Sequence, residues 1–408
     1  MDEILRYAVG LDVGTSTVRV VMASVSEGNK LDVIGYAEVP NAGMRRGVVV
    51  DLAGPVAGMN KALVEVERMS GQNVKAAVVS INGAELQSVR TEGMIAVGGA
   101  EHEINENDVA RVEEVALQGK VVPANRIALE IVPLQYILDG QTGIKAPVGM
   151  TGSRLELHAN VVTALVPSYD NLRKTVETVN VAPEIVMPSA VAAARAVLNE
   201  RQRENGVAVV DFGHSTTGIA VYEEGDLQYI GVIPVGSNNI TNDLATMLAI
   251  DTEIAEEVKR RFATGDFSGE GGTVTLRWHG KDLRFNTEQV NEVVQERLEE
   301  IFSMVQKELA RAGYDKKLPE GIVLTGGGAR MKRLDQFARQ ILNRSVKIGM
   351  PHGLNGVAEA TYKPEYATAV GLMLTSAGLG EKGTSKKVHK SGKKEKSGGI
   401  LKKIFGKF

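Results

Sequence analysis

Two short segments of this sequence bring together a carboxylate, a glycine and several hydroxyl groups, which are residue types that bind phosphate. Residues 7–20 read YAVGLDVGTSTVRV and residues 207–221 read VAVVDFGHSTTGIAV. Each is an apolar run, then Asp, one residue, Gly and small polar residues, and then a second apolar run. The pattern predicts a β-hairpin whose turn offers backbone N–H groups and hydroxyls to phosphate. Asp12 and Asp211 stand at the mouths of the two hairpins, so we expect two related lobes that face each other across a nucleotide.

A third segment, GIVLTGGGARM at residues 321–331, follows in the order that such a site requires. A buried strand is predicted to run into three glycines, which let backbone approach a ligand closely, and then into a helix whose start favours anionic or polar groups. The Gly-Lys-Ser/Thr of a Walker A loop is absent, and no G-x-G-x-x-G follows the first strand. Together the three segments resemble the actin, hexokinase and heat-shock-chaperone ATPase fold. We therefore predict an α/β, actin-like (ribonuclease H-like) ATPase fold with two lobes.

The composition is that of a soluble globular protein, with 43% hydrophobic and 24% charged residues among 408. The chain has no cysteine, which excludes disulfides and thiolate chemistry and suits a reducing compartment. Its start carries acids where a signal peptide carries Lys or Arg, and no apolar run reaches the roughly 18–20 residues of a transmembrane helix. The six histidines are scattered, so we predict no metal site built by protein ligands alone.

The charge is divided unevenly along the chain. Residues 381–408 hold ten lysines and two glutamates, a net charge of +8, whereas the whole chain carries −3, so the preceding residues carry about −11. An acidic body argues against nucleic-acid binding, and a basic tail is expected to face something anionic.

The tail divides into two parts. Residues 381–397 are mainly Gly, Ser and Lys, which predicts a disordered linker because they have little to bury. Residues 398–408 predict a short amphipathic helix whose apolar side chains fall within an arc of about 140°: Ile400, Leu401, Ile404, Phe405 and Phe408. At about 17 Å this helix is too short to span a hydrocarbon core of about 30 Å, so we predict that it lies in the membrane interface. Docking on the chain's own body is the alternative, which the linker and the flanking lysines disfavour.

The order of the predicted elements gives each lobe an additional unit. An acidic helical segment and several strands after residue 83 predict a small α/β subdomain inserted in the first lobe. Helical patterns on both sides of a glycine-rich hairpin predict a helical subdomain in the second. The predicted division is first lobe core, 1–83 and 362–380; inserted subdomain, 84–165; second lobe core, 166–242 and 316–361; helical subdomain, 243–315.

Over essentially its whole length the sequence resembles the FtsA family, bacterial actin-like proteins that tie the cytokinetic FtsZ ring to the membrane. The two hairpins and the TGGG segment are shared with other actin-like proteins. More specific to the FtsA family are the insert, which contains IVPLQYILDGQTGIKAPVGMTG, and the tethered amphipathic tail.

The resemblance implies ATP as the nucleotide, with Mg²⁺ held among phosphate oxygens and waters near Asp12 and Asp211. On spacing alone, Glu256 and Lys259 share a helix face, which equally predicts a solvated ion pair. The residues that the resemblance places around the nucleotide are Asp12, Gly14, Thr15, Ser16 and Thr17 in the first hairpin; Asp211, Gly213, His214, Ser215 and Thr216 in the second; Glu256 and Lys259 beside the adenosine; and Gly326, Gly327, Gly328 and Arg330 at its base.

One departure from the actin-like pattern concerns hydrolysis. Actin places a Gln that positions the attacking water in the helix before its second hairpin, and MreB-like proteins place a Glu at the start of that helix. Here Arg195 and Met187 stand at or near those positions. Without a group to orient water we predict at most slow ATP hydrolysis, so that the nucleotide acts mainly as a ligand for conformation and assembly. An ordinary surface role is the alternative for Arg195.

The resemblance also implies partners and a location. The partners are the C-terminal tail of FtsZ, anionic lipids, further copies of the chain in an actin-like protofilament, and later division proteins, at the cytoplasmic face of the membrane at the division site. The FtsZ tail is expected on residues 243–315, with Lys281 and Arg297 as candidate contacts; ordinary surface charge is the alternative for both. A small-molecule kinase and a pilus-assembly protein of the same fold are the alternative functions, and the tethered tail argues against both.

Overall fold

The computed structural model describes residues 4–98, 102–118, 122–266, 271–314 and 317–378. The predicted linker (381–397) and the predicted amphipathic helix (398–408) lie outside the described residues. Within the described ranges, no helix is both long enough and apolar enough to cross a membrane.

The chain begins with a β-hairpin, as the first apolar runs predict. Residues 17–26 return antiparallel to residues 4–13, and a third antiparallel strand follows. The elements of this first part are β1 (Ile4–Val13), β2 (Thr17–Ser26), β3 (Leu31–Pro40), β4 (Met44–Arg45), β5 (Val48–Val49), α1 (Ala53–Ser70) and β6 (Ala76–Ile81).

The next part contains the inserted unit and the return to the first lobe. Four antiparallel strands of the insert form one sheet with a helix against it. In chain order the elements are β7 (Gln87–Ala96), α2 (Glu106–Gln118), β8 (Arg126–Leu138), β9 (Gln141–Ile144), β10 (Arg154–Leu165), α3 (Val166–Thr178), β11 (Ala182–Pro188), α4 (Ser189–Val197) and α5 (Glu200–Asn205).

The second hairpin opens the remaining part. It continues through a mostly helical segment and returns through the glycine-rich turn to a last helix. The elements are β12 (Val207–Phe212), β13 (Thr217–Glu223), β14 (Asp226–Ile233), α6 (Ser237–Met247), α7 (Thr252–Phe262), β15 (Thr273–Trp278), β16 (Lys281–Asn286), α8 (Thr287–Arg311), β17 (Ile322–Thr325), α9 (Leu334–Leu342), β18 (Val346–Ile348), β19 (Asn355–Gly356) and α10 (Ala367–Ser376).

The two large sheets repeat one topology. Their strand orders are β11-β6-β1-β2-β3-β19 and β14-β13-β12-β17-β18. In each, a meander of three antiparallel strands is extended, beyond its first strand, by two strands parallel to that first strand. The duplication that the two phosphate-type hairpins predict is therefore present as two sheets of the same design.

The first sheet also contains strands from outside the predicted first lobe. The sequence predicts residues 166–242 in the second lobe, yet β11 lies parallel to β6 at the edge of the first sheet. Helix α3 packs against α1 and β11 and so lies with the same sheet. Strand β19, predicted within 316–361 of the second lobe, pairs with β3. The reason is that parallel partners come from distant parts of the chain, after long crossover connections.

Pro133 lies inside a strand of the inserted unit without ending it. β8 is one continuous strand beside β10, and its register shifts between the pairs Pro133–Ala159 and Gln135–His158. Proline has no N–H to donate to the ladder, and a bulge is one of the places where a sheet tolerates it.

Helices α4 and α10 cross between the two sheets. Helix α4 contacts β12 of the second sheet, while α10 contacts β1 of the first and packs against α4. The alanines at 190 and 192–194 are almost fully buried, and Gly371 faces the backbone of Ala192 without room for a side chain. Small residues at this crossing let the two helices approach closely.

Candidate nucleotide site

A cleft of about 460 Å³ opens between the two hairpin turns. Its walls come from both sheets, from helix α7 and from the turn after β17. Every residue predicted around the nucleotide lines this cleft except Ser215. Residues that are far apart in sequence are thus brought to one place.

The turn of the first hairpin is compact because its glycine folds back on the strand that follows. The Gly14 N–H donates to the carbonyl of Thr17 at 3.1 Å, and a Cβ at Gly14 would lie 2.8 Å from that carbonyl oxygen. Asp12 is buried at the end of β1, where Oδ1 accepts a hydrogen bond from the Ser80 hydroxyl at 2.8 Å. The turn therefore presents its backbone and hydroxyls beside a fixed carboxylate.

The second hairpin repeats this geometry. The Gly213 N–H donates to the carbonyl of Thr216 at 3.0 Å, and a Cβ at Gly213 would lie 2.9 Å from that oxygen. Ser215 does not face the cleft; its hydroxyl donates to Thr15 Oγ1 at 2.8 Å. This hydrogen bond joins the two hairpin turns across the lobes.

The carboxylates of Asp12 and Asp211 face the same cleft, and both are poorly solvated. Burial raises the pKa of Asp12, against the opposing charge of Arg19 and the hydrogen bond from Ser80. Burial, followed by the negative charge of Asp12, raises the pKa of Asp211 to about 7. A buried carboxylate whose pKa is raised by a second carboxylate is stabilised in its charged form by a cation placed near the two.

This donor set fits Mg²⁺, which keeps several waters and binds through one or two carboxylates plus substrate phosphates. Among the residues that the structure describes, no group of three or more His, Cys, Asp or Glu side chains is arranged to hold a metal. Asp12 and Asp211 would hold the ion together with phosphate oxygens and water, and the ion would neutralise phosphate charge.

On the second-lobe wall, Lys259 and Glu256 form an ion pair in which the lysine is buried and the glutamate is partly exposed. The Lys259 side chain is 8% exposed, and its ammonium group lies 2.6 Å from Glu256 Oε2 and 2.7 Å from Thr241 Oγ1. Burial raises the pKa of Glu256, but Lys259 and the hydroxyl of Thr241 outweigh it and hold that pKa below its usual value. Burial and then the charge of Lys259 lower the pKa of His214, so its imidazole is neutral in the cleft.

The glycine turn after β17 forms the bottom of the cleft. Gly326 has φ +85°, and a side chain there would overlap Asp211, whereas one at Gly328 would overlap the Phe212 ring. Gly327 faces open space. Arg330 follows, and its Nη1 lies 3.2 Å from the buried carboxylate of Glu365.

Several cleft residues escaped sequence reasoning. Arg19 and Glu38 form an ion pair at 3.3 Å on neighbouring strands, and Thr368 donates to Asp211 Oδ2 at 3.4 Å. Arg19 had a sequence signal, since it is a charged residue inside an otherwise apolar strand that borders a predicted phosphate turn. Asn82, Glu365 and Thr368 had none, because only the tertiary fold brings their segments to the hairpins.

Neither residue at the water-positioning places of actin-like proteins lines the cleft. Arg195 instead donates to Thr375 Oγ1 at 2.9 Å and lies 3.9 Å from Glu130 of the inserted unit. It therefore joins α4, α10 and β8. Met187 is buried at the end of β11.

The two candidate FtsZ contacts also lie away from the cleft. Lys281 is exposed at the start of β16. Arg297 lies on α8, where its guanidinium holds Asp243 of α6 at 2.6 and 3.0 Å and also contacts Glu300. The pKa of Arg297 is raised, mainly by the hydrogen bond to Asp243.

Comparison with known proteins places this chain in one family. The model described as "Cell division protein FtsA" matches residues 208–371, and that described as "SHS2 domain inserted in FTSA" matches residues 83–163. The chain is 34% identical over 373 residues to cell division protein FtsA of Pseudomonas aeruginosa, covering 90% of this chain and 89% of that one. It is 33% identical over 369 residues to FtsA of Bacillus subtilis, covering 90% and 82%.

Solved structures with little sequence identity show the same fold. The PilM-PilN type IV pilus biogenesis complex matches with a TM-score of 0.66 at 16% identity, covering 91% of this chain and 98% of that one. MreB5 of Spiroplasma citri bound to ADP matches with a TM-score of 0.52 at 15% identity, covering 93% and 97%. These two show an actin-like fold and no more. With the inserted unit in place and relatives above 30% identity over nine-tenths of its length, the chain belongs to the FtsA family of cell division proteins.

Proposed function

We propose that this chain is an ATP-binding cell division protein that polymerises and anchors the FtsZ ring to the cytoplasmic membrane through its C-terminal amphipathic helix. Membership of the FtsA family supports the division role. The observation that carries the nucleotide part is the cleft, where two hairpin turns, the Glu256–Lys259 pair and the glycine turn meet. A nucleoside triphosphate matches these walls. They offer backbone N–H groups and hydroxyls to its phosphates, and the glycine turn, with apolar residues behind it, offers an open surface to its nucleobase.

Mg²⁺ is the proposed companion of ATP, held through water by Asp12 and Asp211. We propose at most slow turnover, because Arg195 makes its contacts outside the cleft, with Thr375 and Glu130. The bound nucleotide then acts chiefly by joining the two lobes, and its hydrolysis is not the main output. A turnover in the 1–100 s⁻¹ range that is typical of kinases would contradict this proposal.

The membrane part of the proposal is carried by the sequence of residues 398–408. Five large apolar side chains on one face, with lysines outside it, suit an anionic membrane surface. The basic balance of residues 381–408 against an acidic body points the tail, rather than the body, at lipid. We therefore place the chain at the cytoplasmic face of the membrane at the division site.

The proposed division into units follows the predicted boundaries except where strand pairing favours the first lobe. The match to the SHS2 model at residues 83–163 supports the inserted subdomain (84–165), and the proposed helical subdomain (243–315) would contain α7, the β15–β16 hairpin and α8. The pairing of β11 with β6 and of β19 with β3 supports assigning residues 166–188 and 355–356 to the first lobe. In this division residues 362–380 return the chain to the first lobe, where α10 packs on β1.

The helical subdomain is the proposed site for the FtsZ C-terminal tail. If Arg297 contacts that tail, it must exchange its ion pairs with Asp243 and Glu300 for carboxylates of the peptide. Arg297→Glu should then abolish peptide binding, measured by fluorescence anisotropy. Asp243→Asn, which releases the same guanidinium without removing it, should leave binding equal or tighter.

Loss of binding in both variants would mean that the α6–α8 contact matters and not the arginine itself. Truncation after Gly380 should leave peptide binding intact, because the tail is assigned to lipid. Binding of the peptide to the inserted subdomain instead would contradict the placement.

The whole proposal is tested by co-sedimentation with anionic vesicles. The full chain with Mg-ATP should pellet with vesicles and bring FtsZ into the pellet. The chain truncated after Gly380 should stay in the supernatant, and FtsZ should stay there with it. A small-molecule kinase or a pilus-assembly protein, the alternatives of the same fold, would show no FtsZ recruitment. Phosphorylation of a sugar or other small substrate would favour the kinase.

A further inference from the structure

Asn82 lines the cleft but belongs to neither hairpin turn nor to the glycine turn. It follows β6 of the first sheet, yet its Nδ2 donates to Thr216 Oγ1 of the second hairpin at 3.0 Å. Its Oδ1 accepts from the Gly83 N–H at 2.8 Å. Both polar atoms of the amide group are thus hydrogen-bonded, and the amide lies between the lobes.

The position of this amide is fixed by its surroundings. A Cβ at Gly47, in the β4–β5 turn, would lie 3.0 Å from the Asn82 Cβ. The Gly47 N–H donates to Thr15 Oγ1 at 3.1 Å, so the same turn touches both the first phosphate hairpin and Asn82. A side chain held by a backbone turn and two hydrogen bonds is preorganised for a ligand.

The strand order, taken together with the proposed adenosine position beside Arg330, indicates which end of a nucleotide Asn82 would meet. In the first sheet β6 and β2 lie on opposite sides of β1, which carries Asp12. On the β2 side, the Arg19 guanidinium lies 5.7 Å from the ring centre of Tyr366. Tyr366 adjoins Glu365, which is the ion-pair partner of Arg330. Arg330 lies at the end of the cleft where the adenine is proposed to bind.

A nucleotide with its base near Arg330 therefore runs its phosphates past Asp12 and Asp211 toward β6. Asn82, directly after β6, meets the terminal phosphate on this path. The base and the ribose lie at the other end of the cleft.

Asn82 also has the chemistry for this contact. It is the single carboxamide among the described residues that line the cleft. A carboxamide nitrogen carries two hydrogens; one is used by Thr216, and the second can reach a phosphate oxygen. The same group stays neutral, so it adds a donor without competing with the proposed Mg²⁺ for the phosphates.

We propose that Asn82 is a specificity-determining residue that contacts the terminal phosphate and makes the cleft prefer a nucleoside triphosphate to a diphosphate. This rests on the proposed nucleotide site. Asn82 belongs to the first lobe and is hydrogen-bonded to Thr216 of the second. A terminal phosphate bound to Asn82 would therefore strengthen the connection between the two lobes.

The test compares the dissociation constants of ATP and ADP, each with MgCl₂, by equilibrium titration. Asn82→Ala should weaken ATP binding by about 10- to 100-fold, the range expected for a lost hydrogen bond to a charged group. ADP binding should stay within about threefold, and it shows that the variant is folded. Asn205→Ala, an exposed asparagine outside the cleft that bonds Glu320, should change neither constant.

Asn82→Asp separates a phosphate contact from a purely structural bridge. The Thr216 hydroxyl can donate to the new carboxylate, so the bridge survives while the terminal phosphate meets a negative charge. ATP should then bind more weakly than to Asn82→Ala. Wild-type ATP binding by Asn82→Asp, or equal losses of ATP and ADP in Asn82→Ala, would overturn the proposal. Failure of the wild-type chain to bind either nucleotide would contradict the nucleotide site itself, and the proposal with it.

Discussion

At the scale of single residues, the three glycines after β17 lie in different environments. Gly326 has a left-handed backbone, and any side chain there would collide with Asp211. A side chain at Gly328 would enter the space of the Phe212 ring. Only Gly327 faces open space while lining the cleft, so a side chain added there occupies ligand volume without disturbing the fold.

We predict that Gly327→Val abolishes nucleotide binding and leaves the melting temperature of the free protein unchanged. For the wild type, Mg-ATP at about 100 times its dissociation constant should stabilise the fold by about 2.7 kcal/mol, because it binds only the folded state. A thermal shift assay with and without Mg-ATP measures this. Gly98→Val, the same substitution at an exposed glycine with no neighbour within 4 Å, serves as the control. Equal shifts in both variants would show that the nucleotide does not lie against this turn.

The parts of the site that lie within one turn were predictable from sequence, and the contacts between distant segments were not. Asp12 and Thr15 lie in one turn, as do Asp211 and Thr216, so a local pattern reveals each set. Asn82 and its contact with the second hairpin arise only when separate segments meet, and no local pattern encodes such a meeting. Sequence spacing predicts the Glu256–Lys259 pair, but not the burial of Lys259, which contacts Thr241 on the neighbouring helix.

At the scale of secondary-structure elements, the crossing of α4 and α10 holds the lobes together. Gly371 on α10 lies against the carbonyl of Ala192 on α4 so closely that a Cβ would overlap it. Gly10 on β1 faces Ala369 and Met373 of α10 in the same way. The two helices therefore have no spare volume at the centre of the molecule.

Gly371→Ala should destabilise the protein by about 1–3 kcal/mol or more, the usual cost of overpacking a close contact. The effect opposes the helix propensity of alanine, which by itself favours this change by about 1 kcal/mol. Urea denaturation followed by circular dichroism measures the difference. Gly98→Ala, at an open and exposed position, should change stability by less than about 0.5 kcal/mol. Unchanged stability in Gly371→Ala would mean that α4 and α10 separate readily.

The elements themselves were predictable to different degrees. The hairpin β12–β13 follows from two apolar runs on either side of a turn-forming segment, and the helix α1 follows from helical apolar spacing that ends at Gly71. The pairing of β11 with β6 does not, because a strand's own residues do not specify a parallel partner that lies about 100 residues away. The continuity of β8 through Pro133 depends on the bulge against β10, which is a property of the pair and not of one strand.

At the scale of the whole molecule, the inserted unit connects to both lobes. It is joined to the first lobe by the chain, and its Asn160 donates to the carbonyls of Leu227 and Gln228 on β14 of the second. Lys145 adds an ion pair with Asp226 at 2.5 Å. Any rotation of one lobe against the other must therefore move or break this contact, so the insert is placed to respond to closure of the nucleotide cleft.

The proposed anchor lies outside the described residues and depends on coupled folding and binding. Burial of the five apolar side chains contributes on the order of 1.5–3 kcal/mol each, before losses from helix ordering and incomplete burial. Lysines near an anionic leaflet add about 1 kcal/mol each. A helix of this length does not form alone in water, so membrane binding should be reversible.

Phe405→Glu places a charge in the middle of the apolar arc and should release the protein from anionic vesicles, measured by co-sedimentation. Its Mg-ATP-induced thermal shift should stay at the wild-type value, because the cleft is unaffected. Lys402→Ala combined with Lys403→Ala should weaken vesicle binding only in part, and mostly at low salt, where surface charges are least screened. Vesicle binding by Phe405→Glu equal to that of the wild type would show that the tail is not the anchor. The link between this chain and the membrane would then have to be sought on the surface of its two lobes.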